Sequence, residues 1–386
     1  MGNDVATAEE ACQLHERAVA LREQGQLAEA ATCAQHALAA FECAYGLDHP
    51  DVANILNNLA GICADQGDYT EAVRLAQRSV TIMEQATGSP DTELLRIQSL
   101  RTLAGVYCAQ GGYAEAEPLY QRALASAEDA LGLHHLETAA CLNDLAVLYK
   151  YTAQFAMAAR LYRRALAITT QALGPEHPDV ATLYHNLGGL EHARGRYTRG
   201  EPWARRAVAV RERALGPDHP AVAADVAALA AILDAQGNDT EAEALYRRVL
   251  AIFERLYGTD HYEVAVNCNN LAALLHARGE YAEAEGLYQQ ALAIKERLLG
   301  PEHPDMAMTL SNLAVLYKSL GRYVEAEALY QRALPLFEQA LGPAHPHVET
   351  CLRNYARLLR NMQRRAEART FETRARQARH TRRASK

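Results

Sequence analysis

The stretch 174-GPEHPDV-180 decides the fold, because the same seven-residue phrase returns along the chain at a nearly constant interval. Close copies begin at Gly46, Gly216, Gly258, Gly300 and Gly342, and weaker copies begin at Gly88 and Gly132. Successive copies start 42 residues apart, with one interval of 44. A fixed period of this length predicts a solenoid of stacked repeats, because one repeat cannot bury its own apolar face.

Each repeat is predicted to be a pair of helices. In residues 50–88, apolar residues recur with helical spacing from Val52 to Ile62 and again from Ala72 to Met83. Gly67 separates the two stretches and marks a tight turn. The sequence therefore predicts an all-α solenoid of about nine antiparallel helix pairs.

The phrase is predicted to end one helix and to begin the next. Its first glycine suits a left-handed residue just beyond a helix C-terminus, and the proline after the histidine suits the first position of a helix. The acid that follows, which is Asp51, Asp179 or Asp305 in different copies, would lie in the first turn and favour the helix dipole.

The repeats account for nearly the whole chain, so we expect a single solenoid over residues 1–386 and not several globular domains. The first and last repeats depart from the pattern, which is typical of capping repeats, and the last repeat is basic. The predicted repeats span 4–45, 50–87, 90–131, 136–173, 178–215, 220–257, 262–299, 304–341 and 346–380.

Charge and cysteine content limit the classes of partner and the compartment. The net charge is −8, although residues 353–386 hold 12 Arg or Lys and only two acids. An acidic body argues against nucleic-acid binding along the solenoid. The eight cysteines form no CxxC pair, and no apolar run approaches the length of a membrane span. We expect a cytoplasmic monomer with reduced thiols and no membrane partner.

Several columns of residues align when the repeats are counted from a leucine on each first helix. The next residue is always small, a second small column lies thirteen residues after the leucine, and two tyrosine columns follow the turn. These columns are expected to form the core. The leucines are Leu59, Leu103, Leu145, Leu187, Leu229, Leu271 and Leu313, with Tyr355 in the last repeat.

This combination of leucine, small residue, turn glycine, tyrosine and alanine closely resembles the tetratricopeptide repeat. The 42-residue variant with GPxHPD between repeats is similar to the repeats of kinesin light chains and related bacterial proteins. The resemblance implies a right-handed superhelix whose first helices line a concave groove. It also implies that the groove binds other proteins.

One histidine stands at the same place in seven copies of the phrase: His49, His135, His177, His219, His261, His303 and His345. Packed helices lie about 8–10 Å apart, so histidines of neighbouring repeats cannot share a zinc ion that needs nitrogens at about 2 Å. We therefore expect these side chains to cap or pack the linker. No catalytic motif is present, so we expect no enzyme activity, no metal and no cofactor.

Polar residues just before the first-helix leucine are candidates for binding. Asparagine at this position resembles the asparagines with which tetratricopeptide proteins hydrogen-bond the backbone of an extended peptide, since an amide offers both a donor and an acceptor. The alternative is that these side chains brace a neighbouring helix. The candidates are Asn58, Asn143, His185, Asn186, Asn269, Asn270, Asn312 and Asn354.

A cationic column lies five residues beyond the leucine, on roughly the same helix face. It consists of Lys150, His192, His276, Lys318 and Arg360, and the last first helix extends it with Arg353, Arg357 and Arg364. A solvated cap, a site for an acidic peptide or carboxylate, and a site for phosphate or nucleic acid are the alternatives.

The sequence therefore favours a noncatalytic scaffold or adaptor that binds an extended, acidic peptide in the concave groove. Gly61, Gly105 and Gly189 would leave room for the side chains of the ligand. Two alternatives remain. One is a regulatory sensor solenoid that controls a separate effector, and the other is binding of an anionic ligand or nucleic acid through Arg353–Lys386.

Overall fold

The computed structural model describes residues 8–23, 25–86 and 89–384. The predicted repeat limits at residues 4 and 87, the first glycine of the phrase copy at Gly88 and the last two residues of the basic segment lie outside the described residues. Eighteen α-helices form within these ranges: α1 (Ala8–Glu23), α2 (Leu27–Tyr45), α3 (Pro50–Asp65), α4 (Tyr69–Gln85), α5 (Pro90–Ala109), α6 (Tyr113–Ala130), α7 (Leu136–Tyr151), α8 (Phe155–Leu173), α9 (Pro178–Ala193), α10 (Tyr197–Leu215), α11 (Pro220–Gln236), α12 (Asp239–Tyr257), α13 (Tyr262–Arg278), α14 (Tyr281–Leu299), α15 (Met306–Ser319), α16 (Tyr323–Leu341), α17 (Pro346–Asn361) and α18 (Arg365–Ala384).

The chain divides into two compact units, which we call the amino-terminal unit (residues 1–195) and the carboxy-terminal unit (residues 196–386). In the amino-terminal unit, four helix pairs from α1–α2 to α7–α8 are followed by α9. In the carboxy-terminal unit, α10 is followed by four pairs from α11–α12 to α17–α18. The odd-numbered helices are the first helices of the repeats. The predicted all-α repeat fold is confirmed in both units.

Six of the seven linker histidines are N-caps, and the seventh, His303, lies two residues before Asp305, the N-cap of α15. The Nδ1 atom of each accepts a hydrogen bond from the backbone N–H two residues later, at 3.1–3.3 Å. Each bond satisfies one of the amide donors that the first turn of a helix leaves without a partner. The capping role predicted for these histidines is confirmed. The hydrogen bond to the backbone N–H requires an unprotonated Nδ1 on the histidine.

The linker glycines adopt a backbone conformation that differs from the predicted left-handed helical one. Gly174 has φ 87° and ψ 160°, a region that is essentially restricted to glycine because a Cβ would be strained there. The glycines of the turn within a repeat are left-handed helical, as Gly237 is with φ 80° and ψ 18°. Ala153 and Gln363 take that turn position without being glycine, with φ of 60° and 64°.

Helix α15 begins later than the phrase predicts. Proline is at the start of α3, α9, α11 and α17, but α15 begins at Met306, and Asp305 is its N-cap instead of a first-turn residue. Two contacts hold Asp305 outside the helix. Tyr262 Oη donates to its carboxylate at 2.7 Å, and Lys295 Nζ donates to its backbone carbonyl at 3.0 Å.

The leucine and small-residue columns form the core of each unit. Helix α5 has 20 residues, four more than α3, and Leu103 is still in the core. Large core side chains include the tyrosines of the second helices, and Tyr162, Tyr288 and Tyr330 are fully buried. The expectation of a core position is confirmed for this tyrosine column. It is not met by the column at the turn, where Tyr281 is 37% exposed and Tyr113 and Tyr323 are half-buried.

Candidate functional site

The first helices of the amino-terminal unit carry a series of polar contacts between neighbouring repeats. Asn186 Nδ2 on α9 donates to Asn143 Oδ1 on α7 at 2.7 Å. Asn58 Nδ2 on α3 lies 2.9 Å from His15 Nε2 on α1. These side chains are half-buried, so they brace adjacent helices while part of each amide stays open to solvent.

The carboxy-terminal unit repeats this arrangement. Asn312 Nδ2 on α15 donates to Asn269 Oδ1 on α13 at 3.2 Å, and Asn269 Nδ2 lies 3.5 Å from Asn270 Oδ1. The side chain of Asn354 on α17 makes no hydrogen bond within the described residues, and the Asn270 side chain donates none there. Both are half-buried. We call the asparagines 58, 143, 186, 269, 270, 312 and 354 the amide ladder.

An ion pair that sequence reasoning did not predict occupies the place of an asparagine contact between two first helices. Arg101 on α5 takes the place of an asparagine, and its guanidinium contacts Asp144 at 2.7 Å and Glu137 at 2.6 Å on α7. The three side chains are at most one quarter exposed. The signal that could have found this pair is its separation of 43 residues, which Asn143 and Asn186 share.

Lys150 is a cation on the first helix α7 of the amino-terminal unit. Burial lowers the pKa of its ammonium group, and no acidic side chain among the described residues forms an ion pair with it. Its Nζ lies 5.1 Å from the centre of the Tyr151 ring, and 4.0 Å from where a Cβ would be at Gly189. His185 and His192 both lie half-buried on α9. His185 directly precedes Asn186, and His192 follows Asn186 by six residues.

Two cations, Lys318 and Arg357, lie close together in the carboxy-terminal unit, and His276 lies beside Lys318. Burial and then the neighbouring Arg357 lower the pKa of Lys318. Burial and then Lys318 lower the pKa of His276, whose Nε2 lies 3.2 Å from Ser319 Oγ. Lys318 and Arg357 form a local positive centre, and this centre favours the neutral form of the His276 imidazole.

The predicted cationic stripe on α17 is interrupted by ion pairs. Arg360 Nε donates to Glu372 Oε1 at 2.7 Å, which raises the pKa of Arg360. Arg364 pairs with Glu327 and Glu367, each at 2.6 Å, and Arg353 lies 3.8 Å from Glu349. Arg357 is the member of this stripe for which the described part of the chain supplies no ion pair. Arg360 is thus a weaker anion ligand than the sequence indicated.

The small residues differ in the space that they leave. Beside Gly61 the space is filled, because a Cβ there would lie 2.5 Å from the Arg22 guanidinium. Arg22 is held by Asp65 at 2.6 Å. The expectation that Gly61 leaves room for a ligand side chain is therefore wrong. Beside Gly189 only Lys150 approaches, and beside Gly105 only the Tyr120 hydroxyl, at 3.6 Å from a Cβ.

Acidic side chains of the second helices accept hydrogen bonds from the first helix of the next repeat. Glu117 accepts a hydrogen bond from Tyr149 Oη at 3.0 Å, and Glu285 accepts one from Tyr317 Oη at 3.0 Å. Arg322 also pairs with Glu285, at 2.7 Å. These acids connect a second helix to the first helix of the next repeat.

Metal and membrane sites are not indicated by the described residues. Among them, no group of three or more His, Cys, Asp or Glu side chains is placed to hold a metal ion. None of the helices in the described ranges is long and apolar enough to cross a bilayer. All eight cysteines, each within those ranges, are free thiols.

Several proteins of known structure are similar to this chain. A putative kinesin light chain from Podosopora anserina with nearly identical TPR-like repeats is 28% identical over 54% of this chain and 97% of its own, with a TM-score of 0.45. The Rap protein complexed with Competence and Sporulation Factor is 15% identical over 97% of this chain and 98% of its own, with a TM-score of 0.63. The quorum sensor NprR from B. thuringiensis is 12% identical over 96% and 99%, with a TM-score of 0.63.

The last two likenesses concern the fold alone. No curated protein shows significant sequence similarity to the chain. The sequence model of the tetratricopeptide repeat matches residues 9–85, 95–171, 154–199, 179–255, 223–297, 265–339 and 305–379. These matches cover most of the chain, and stacked repeats of this kind form protein-interaction surfaces. The chain belongs to the tetratricopeptide repeat family and is, in this general sense, a protein-interaction scaffold.

Proposed function

We propose that the chain is a noncatalytic adaptor that binds an extended segment of a partner protein on its first-helix faces. The observation that carries the proposal is that half-buried amides with spare hydrogen-bonding capacity share these faces with cations that lack acidic partners. Asn270 and Asn354 retain free donors, and Lys150 and Arg357 lack ion pairs among the described residues. An exposed asparagine can bond both the N–H and the C=O of a peptide backbone.

The charges favour an acidic segment. An ammonium group that is partly removed from water and has no carboxylate nearby gains more from an incoming anion than a fully hydrated one does. Lys150 supplies such a group in the amino-terminal unit, and Lys318 with Arg357 supplies one in the carboxy-terminal unit. The free thiols favour action in a reducing compartment such as the cytoplasm.

The test begins with selection of binding peptides from a random 12-residue phage library on the full-length protein. Titration calorimetry then compares the wild type with two double variants, Asn143→Ala/Lys150→Gln and Asn270→Ala/Lys318→Gln. Loss of an amide contact and a charge contact, at about 1 kcal/mol each, predicts roughly 10- to 30-fold weaker binding for the unit that holds the peptide.

Gln339→Ala is the matched control, because it removes an exposed amide from the second helix α16. It is expected to leave the affinity unchanged, and circular dichroism should show equal helicity in all variants. The proposal is contradicted if no peptide can be selected. It is also contradicted if both double variants bind the peptide with the affinity of the wild type.

Small-angle scattering on the selected complex distinguishes an adaptor from a sensor. An adaptor keeps its radius of gyration when the peptide binds. A change well beyond the added mass of the peptide favours a sensor that passes a conformational change to an effector.

A further inference from the structure

Helices α7, α8 and α9 line a surface cavity of about 160 Å³, open to solvent, beside the amide pair of the amino-terminal unit. Leu136, Ala139 and Ala140 of α7 and Leu183 of α9 supply apolar walls, and Asn143 is part of its lining. Sites for small metabolites are usually about 300–1,000 Å³. This cavity is smaller, and it has room for a single aliphatic side chain.

Three features follow one another along α9 at intervals of three residues. Leu183 lines the cavity, Asn186 bonds Asn143, and Gly189 lies beside the Lys150 ammonium. All three therefore border α7. At about 1.5 Å of rise per residue, the cavity and the ammonium are about 9 Å apart along the helix.

An extended peptide advances about 3.3 Å per residue, so 9 Å corresponds to about three residues. We propose that the amino-terminal unit selects segments in which an aliphatic residue and an Asp or Glu stand three positions apart. The aliphatic side chain fills the cavity, the amide pair bonds the backbone between them, and Lys150 binds the carboxylate. The inference rests on the proposed function and names its ligand class.

Charge determines on which side of the aliphatic residue the acid is bound. Lys150 stands at one end of the arrangement without an acidic partner among the described residues. Asp179, which is exposed, lines the cavity at the other end, four residues before Leu183. A carboxylate of the ligand is therefore attracted toward Gly189 and repelled from the first turn of α9.

The inference is tested by repeating the phage selection on two variants of the full-length protein. Lys150→Gln removes the ammonium, and Ala140→Leu fills the cavity from a half-buried position. Ala125→Leu, on the exposed side of α6, controls for the added side chain. Circular dichroism checks that all three variants are folded.

Wild type and Ala125→Leu should both enrich peptides with an aliphatic residue and an acid three positions apart. Lys150→Gln should keep the aliphatic preference and lose the acidic one, and Ala140→Leu should do the reverse. For the best peptide, replacing its acid by the amide should weaken binding at least fivefold to wild type and leave binding to Lys150→Gln unchanged.

Two failures can be told apart. If peptides are recovered but show another spacing, or the same preferences on both variants, this inference is overturned and the adaptor function stands. If no peptide is recovered on the wild type, the proposed function falls as well.

Discussion

Asn186 Nδ2 donates to Asn143 Oδ1 at 2.7 Å, and the two residues are 43 positions apart in a chain whose repeat is 42. The same offset of one position joins Asn312 to Asn269 and Arg101 to Asp144. Each residue therefore contacts a side chain of the adjacent repeat that is one position away from the residue equivalent to itself. The amide ladder follows from this offset.

The Asn143–Asn186 bond should be measurable as an energetic coupling. Single and double alanine substitutions of these residues are expected to give a coupling energy of about 0.5–1.5 kcal/mol in urea unfolding. Asn312 and Asn354, which have no hydrogen bond to each other, serve as the control pair and should couple by less than about 0.5 kcal/mol. Equal coupling in both pairs would show that the bond does not brace the helices.

Arg101 should be far more important for stability than an exposed arginine. Arg101→Met leaves two mostly buried carboxylates without a cation, so we expect a loss of about 3 kcal/mol in the free energy of unfolding. Arg122, whose pair with Glu84 at 2.8 Å is about half exposed, is the control. Arg122→Met is expected to cost less than about 1 kcal/mol, and similar losses in the two variants would refute the argument.

His261, the N-cap of α13, should make the fold sensitive to acid. Burial lowers the pKa of His261 below its ordinary value, so the unfolded chain, in which histidine titrates near about 6.5, takes up the proton first. Its contribution to stability is present above that pH and is lost as the pH falls through it. The imidazolium can no longer accept the bond from the Glu263 amide, and it opposes the helix dipole.

His261→Asn tests this expectation, because asparagine keeps a capping acceptor at every pH in the range. Thermal unfolding midpoints are compared at pH 7.5 and pH 5.5 by circular dichroism. The wild type should lose more between the two conditions than the variant. An equal loss would mean that His261 does not titrate with folding.

Replacing Ala153 by glycine should increase the free energy of unfolding. Ala153 has φ 60° at an exposed turn position, where a residue with a Cβ is disfavoured by about 1–2 kcal/mol. Ala153→Gly is therefore expected to stabilise the protein by about 1 kcal/mol, as measured by urea unfolding. Ala125→Gly, within helix α6, should instead destabilise it by a similar amount. Destabilisation by both substitutions would contradict the backbone argument.

Much of the fold could be predicted because a repeated sequence reveals which residues share an environment. Leu145 and Ala146 belong to columns of apolar and small residues, and they are 4% and 0% exposed. The histidine caps were predictable for the same reason, since each one precedes a helix start. These features depend on contacts within one repeat and its linker.

The partners of the polar residues could not be predicted in the same way. A column shows that Asn143 and Asn186 lie on one face, but not that adjacent helices are offset by one residue. The cavity beside Asn143 and the filling of the space at Gly61 by Arg22 also depend on that offset. Peptide binding by the amide ladder and the cations therefore stays a prediction.

The joints between repeats have a consequence for how such a chain can change its length. At Gly216 the backbone turns within the linker itself, and His219 caps only the helix that follows, through the Ala221 amide. The next joints begin at Gly258, Gly300 and Gly342, each 42 residues on. Recombination between any two of them would delete or duplicate a whole helix pair and recreate the same junction, so a gene of this kind can shorten or extend the protein one pair at a time.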